Sequence, residues 1–106
     1  MMTSRLETFR AMLAKSPESP LVRFGLANEL VKSGLHGEAA EQLRAYLSSY
    51  DDEGNGYGRL AEALIVMGQI DDAKVALRGG IEAANRFGHP GMANELSARL
   101  DELEET

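Results

Sequence analysis

An all-α fold of antiparallel helical hairpins, stacked side by side, is predicted for this chain of 106 residues by three observations. The chain lines up with itself at a shift of 34 residues: Leu26, Ala27, Leu30, Gly34, Ala39, Leu43 and Arg44 recur as Leu60, Ala61, Leu64, Gly68, Ala73, Leu77 and Arg78. A period of this length marks a repeat architecture, in which one hairpin cannot bury its own apolar face and stacks on a neighbour to do so. Apolar residues recur three or four positions apart, and no alternating β-branched segment competes with that helical spacing. Both copies also share their punctuation, with Gly34 and Gly68 at the matching turns.

Taken in order, the elements are a first helix over about 4–15, a repeat over about 20–53, a repeat over about 54–87 and a capping helix over about 90–104, all in one domain spanning 1–106. Ser4 followed by Glu7 forms a capping box for the first helix, which carries Leu6, Phe9, Met12 and Leu13 on one face and stops at Ser16 and Pro17. Ser19 caps the next helix with Pro20 in its first turn, where the missing N–H costs nothing, and Gly34 ends it. Its partner runs from about Gly37 to Tyr50 and presents Ala39, Ala40, Leu43, Ala45, Tyr46 and Leu47; the turn from Asp51 to Gly56 follows.

The second hairpin repeats this plan. A helix over about 56–67 ends at Gly68, and Asp71 is the expected N-cap of a helix that ends at Gly88, before Pro90. Gly54, Gly56 and Gly58 crowd the start of this hairpin, each costing about 1 kcal/mol against alanine if helical, so a late or frayed start is expected there. Gly79 and Gly80 lie inside the following helix and predict close packing of another helix on bare backbone. The last helix places Met92, Leu96, Leu100 and Leu103 on one stripe and Asn94, Glu95, Asp101 and Glu102 on the other, the pattern of a solvating cap.

Composition narrows the function classes. Seventeen acidic against eleven basic side chains give a net charge of −6, the wrong sign for neutralising phosphate backbones, so nucleic acid is not an expected partner. No cysteine is present, which excludes disulfides, thiolate metal sites and cysteine nucleophiles. Arg5, Glu7 and Arg10 interrupt the N-terminal stretch, so neither a signal peptide nor a membrane span is expected, and the reading is a soluble, cytoplasmic protein without membrane partners.

With these residues in place, the chain resembles the tetratricopeptide repeat (TPR) family, whose 34-residue unit reads Trp-x2-Leu-Gly-x2-Tyr, then Ala-x3-Phe, then Pro. The second unit reads Tyr57-x2-Leu60-Ala61-x2-Leu64, then Ala73-x3-Leu77, with every spacing kept. In the first unit Leu26, Ala27, Leu30, Ala39 and Leu43 match, while Arg23 stands where the aromatic residue belongs. The steric sense of the pattern is that Ala27, Ala39, Ala61 and Ala73 let the two helices of a hairpin, A and B, approach closely while leucines fill the grooves. The first helix fits as a lone helix B, because Phe9 and Pro17 keep the separation of Leu43 and Asp51. The resemblance implies a short right-handed α-solenoid with flanking helices.

Few residues are arranged for chemistry. Asp51-x-Glu53-x-Asn55-Gly56-x5-Glu62 has the span, central glycine and final glutamate of an EF-hand loop, but Glu53 and Gly58 depart from its pattern and helix from about Tyr57 onward would carry Glu62 away. The two histidines, His36 and His89, sit at expected helix starts in turn or capping roles, and Asp71-Asp72 suits the first turn of a helix. No phosphate loop, Gly-x-Ser-x-Gly or His-Glu-x-x-His occurs, so no enzyme and no cofactor are expected.

The resemblance implies recognition on the concave wall built by the A helices. Its register points to Leu21, Phe24, Asn28, Val31 and Lys32 in the first repeat and Arg59, Glu62, Ile65 and Val66 in the second, with Arg99 a further candidate. Phe24 and Ile65 offer apolar area, the Asn28 amide suits a peptide backbone, and Arg59 suits a carboxylate. The expected function is therefore a non-enzymatic module that binds another protein, as a peptide or helix, in this groove. The alternatives are a self-associating structural repeat protein, a homo-oligomer, and calcium binding by the 51–62 loop.

Overall fold

A computed structural model describes residues 4–105 of the chain. Six helices follow one another: α1 (Arg5–Lys15), α2 (Pro20–Lys32), α3 (His36–Ser49), α4 (Asn55–Val66), α5 (Ile70–Arg86) and α6 (Pro90–Glu104). They are the only regular elements among the described residues. Each packs chiefly on the helix before and after it, which draws the molecule out to 47 × 28 × 19 Å. None of the helices is long and apolar enough to cross a membrane.

The expected caps at the first two helices form. The Ser4 hydroxyl accepts from the Glu7 N–H at 3.1 Å, and the Ser19 hydroxyl accepts from the Val22 N–H at 3.2 Å. Three helices, α2, α4 and α5, close with the same device. Gly34, Gly68 and Gly88 take φ of 77°, 76° and 74°, and the next residue's N–H reaches back to Leu30, Leu64 and Ala84 respectively. This Schellman geometry fixes the following turn so tightly that α3, α5 and α6 begin two residues after the glycine. It also corrects the expected cap of α5: the N-cap position falls on Gln69, and Asp71 and Asp72 lie within the first turn, beside free amides.

The turn from α3 to α4 is built differently and overturns the expectation of a frayed start. Asp52 is only 2% exposed. Its Oδ1 accepts from the N–H groups of Gly54 and Gly56, both at 2.8 Å, and its Oδ2 accepts from the Tyr46 hydroxyl at 2.6 Å. The carboxylate thus supplies the acceptors that the first turn of α4 lacks, and the helix begins at Asn55 despite its glycines. Those glycines are needed for space. A Cβ on Gly54 would stand 2.7 Å from the Met92 sulfur, and one on Gly56 would stand 2.8 Å from the Tyr46 ring.

The core divides into two clusters. The larger runs from Ala27 through Ala40, Leu43, Leu60, Leu64 and Leu77 to Leu96 and Leu100; the smaller holds Leu26, Leu30 and Ala39 beneath Leu6, Phe9 and Leu13 of α1. Ala27, Ala39, Ala61 and Ala73 are wholly buried, as the close approach of A and B helices requires. Tyr57 occupies the aromatic position of the second repeat and lies against Gly79 and Gly80, where an added Cβ would come within 2.9 and 2.8 Å of it. The first repeat fills the same position with Arg23. Its guanidinium donates to Gln42 on α3 at 2.7 Å and to the Pro17 carbonyl at 2.8 Å, joining by hydrogen bonds what Tyr57 joins by packing.

Candidate functional site

Helices α2, α4 and α6 hold the A positions, and the depressions along them place the expected groove residues in three groups. Leu21, Phe24, Asn28 and Lys32 line a depression with Arg5, Phe9 and Met12 of α1. Val31, Glu62, Ile65 and Val66 meet in a second, which also takes in His36 and Ala63. Arg59 and Glu62 line a third together with Met92, Glu95 and Arg99 of α6. Glu62 therefore stands between the second and third groups, 3.5 Å from Arg99.

These side chains differ in what they are free to do. Leu21 is 79% exposed and Val66 63%, the first in one depression and the second in the next. Phe24 is half-buried: its ring lies 5.0 Å from the Tyr46 ring and packs on the larger core cluster, so much of its area already supports the fold. Lys32 sits 3.5 Å from Glu29, which also accepts from Arg5 at 2.9 Å. The Arg5 guanidinium, with Lys32 beside it, holds the Glu29 carboxyl below the usual carboxylate range against the opposing effect of burial. Arg59 is exposed and makes no ion pair with a described residue, which leaves its guanidinium available.

The acidic turn does not gather its oxygens. Asp51 faces outward to Arg86 at 2.7 Å, Asp52 is turned inward onto its amides, and Glu62 lies in the second turn of α4 beside Arg99. Among the described residues no three His, Cys, Asp or Glu side chains are placed to share a metal ion. Tyr46, buried and bonded to Asp52, has its hydroxyl pushed above the usual tyrosine range, mainly by desolvation. His36 opens α3 with its Nδ1 buried and unbonded, and His89 caps α6 through its backbone while its ring stacks on Phe87. Neither imidazole is paired with a nucleophile.

No family model matches the chain. A TPR repeat-containing protein of Pseudomonas aeruginosa is 27% identical over 99 residues, covering 93% of this chain and 94% of that protein. The solution structure of a protein from Bordetella parapertussis superposes with a TM-score of 0.82 at 27% identity, over 98% of this chain and 90% of that one. The chain has a TPR-like fold and is similar to a TPR repeat-containing protein. In TPR terms α1 takes the place of a helix B, α2–α3 and α4–α5 are full repeats, and α6 takes the place of a helix A.

The TPR register missed part of the wall. Arg5, Phe9 and Met12 enter it because α1 packs beside α2, and Met92 and Glu95 enter it from α6. The signal for both was the reading of the end helices as half-repeats, from which their wall-facing positions follow. Nothing in the sequence distinguishes His36, which reaches the wall only because the Schellman turn at Gly34 starts α3 under Val31 and Val66.

Proposed function

We propose that this chain is a non-enzymatic interaction module that holds an extended or helical segment of another protein against the wall of α2, α4 and α6. The observation that carries the reading is the exposed apolar area of Val66 beside Val31 and Ile65, with the exposed Arg59 farther back along α4 in the neighbouring depression. Apolar anchors ringed by polar groups are what segment recognition uses, the apolar contacts supplying affinity and the arginine orientation. The residues that recur between the repeats are spent on packing, whereas Val31/Ile65, Lys32/Val66 and Gly25/Arg59 differ at matched or nearby positions, so selectivity resides in them.

The test is capture of partners from a lysate of the source cell by the intact protein, compared with Val66→Glu and Arg59→Glu. Both positions are exposed, so both variants keep the fold. The expected result is a partner retained by the parent chain and lost or weakened about tenfold by each substitution. An identical set of partners for all three proteins would refute the assignment to this wall.

A further inference from the structure

Asn55 and Gly56 form the one asparagine–glycine step in the chain; the other asparagines, Asn28, Asn85 and Asn94, precede Glu29, Arg86 and Glu95. This dipeptide is chemically labile, because a glycine leaves its amide nitrogen open to attack the asparagine side chain. The Asn55 side chain is exposed and makes no hydrogen bond with a described residue, so nothing shields its carboxamide. Gly56 cannot be exchanged to remove the hazard, since a Cβ there would stand 2.8 Å from the Tyr46 ring and 3.1 Å from Asp52 Cγ.

What the fold restrains is the nitrogen. The Gly56 N–H donates to Asp52 Oδ1 at 2.8 Å in a buried site, and the Tyr46 hydroxyl fixes the other oxygen of that carboxylate. The Gly58 N–H donates to the Gly54 carbonyl at 3.1 Å, which closes the first turn of α4 over the pair. Ring closure needs this nitrogen to turn out of the helical ψ toward the Asn55 side chain and to lose its proton. Both are opposed here. The helix holds ψ, and an amide anion would form against the Asp52 carboxylate, a like charge at hydrogen-bond distance.

We propose that Asn55 is a latent self-modification site, a deamidation site that the Asp52 clamp keeps closed while the α3–α4 turn is intact. When the turn opens, the deprotonated Gly56 nitrogen bonds to Asn55 Cγ, the bond from Cγ to the side-chain nitrogen breaks, and ammonia leaves with a proton returned by water. Water then opens the resulting cyclic imide at either carbonyl, leaving aspartate or, with the backbone rerouted through the side chain, isoaspartate. Each event consumes a water and releases an ammonia, with no change of oxidation level. Either product adds a carboxylate to the depression that Asn55 shares with Arg59, Met92 and Arg99, and isoaspartate also lengthens the backbone at the first residue of α4. This chemistry depends on the turn alone, whether or not the wall binds a segment of another protein.

Peptide mass spectrometry after incubating the intact protein at mildly alkaline pH tests it, with isoaspartate counted by enzymatic methylation. Asn55 of the folded parent is expected to convert at least about tenfold more slowly than in the same chain unfolded in guanidinium chloride. Asp52→Ala, kept under native conditions, is expected to lose about tenfold of that protection. Leu26→Ala opens a cavity in the smaller cluster, away from the turn, and leaves the protection in place. Circular dichroism checks that each variant keeps its helices; if Asp52→Ala does not, Asp52→Asn, which keeps an acceptor without its charge, takes its place and again converts faster than the parent. Equal rates in the folded and unfolded parent, a folded Asp52 variant that converts as slowly as the parent, or a folded Leu26→Ala that converts as fast as the Asp52 variant overturns the proposal.

Discussion

Asp52 shows how much a single residue carries in this chain. One carboxylate satisfies two backbone amides and a tyrosine hydroxyl in a site nearly closed to water. Removing it strands three buried donors, so Asp52→Ala is expected to cost about 2–4 kcal/mol, read from urea unfolding. Asp52→Asn keeps a carbonyl for the two amides and offers an N–H to the tyrosine oxygen, so its loss is expected to be less than half as large. Tyr46 gives the same cluster a pH signature. Its folded-state pKa is raised, so the proton is bound more tightly in the folded protein, and that stabilisation is complete below the unfolded value near 10.0 and is lost as pH rises beyond it. Unfolding midpoints measured upward from pH 9 should therefore fall more steeply for the parent chain than for Tyr46→Phe. At the acid end the sign reverses. Glu29 has a lowered pKa, so its contribution is present above about 4.5 and fades as pH falls, and Glu29→Gln should flatten that part of the profile.

At the scale of elements, helix contacts are set by where side chains are absent. An alanine at Gly80 would place its Cβ 2.8 Å from both Leu96 Cδ1 and Tyr57 Cβ, and the latter, fixed to the α4 backbone, cannot swing aside. Gly80→Ala is therefore expected to destabilise by about 1–3 kcal/mol, although alanine is the better helix former, and chemical denaturation measures it. The glycines at 79 and 80 announced this packing in the sequence, because two adjacent glycines in a helix have little other use. The glycines at 54, 56 and 58 pointed the other way, toward a weak helix start. What overrode them was a side chain two residues upstream of the first of these glycines, which is held in place by the buried Tyr46 hydroxyl and the two glycine amides. Asp71 was misjudged for a similar reason: its cap propensity is real, but the Schellman turn at Gly68 had already set where α5 begins.

For the molecule as a whole, burial is distributed along the stack and is least in α1, at the N-terminal end, so local stability is expected to be lowest there. Helix α1 buries none of its residues fully and is held by Leu6, Phe9 and Leu13 on the smaller cluster, by Arg5 on Glu29 and by Arg10 on Glu38. Surface ion pairs contribute little each and the cluster beneath α1 is the smaller one, so α1 is expected to open before the rest of the core. Hydrogen exchange should release the amides of α1 well before those of α4 and α5, and truncating Leu43 to alanine, at the centre of the larger cluster, should cost about 2–5 kcal/mol and destabilise the whole array. Equal protection of α1 and α4 would show instead that the six helices unfold as one unit.

The repeat, the six helices, the buried alanines and leucines and most helix ends follow from the sequence by itself, because they rest on local rules: a period of 34, apolar residues three or four apart, hydroxyl caps and glycines with left-handed backbone. The register also supplied the candidate wall on which the proposed function rests. Which of its side chains are free was decided only by tertiary structure, since exposure depends on what lies across from a residue in space: Phe24 is engaged with Tyr46, Lys32 with Glu29, and Leu21, Arg59 and Val66 remain open. The same holds for Asp52, whose partners stand on two helices and the turn between them.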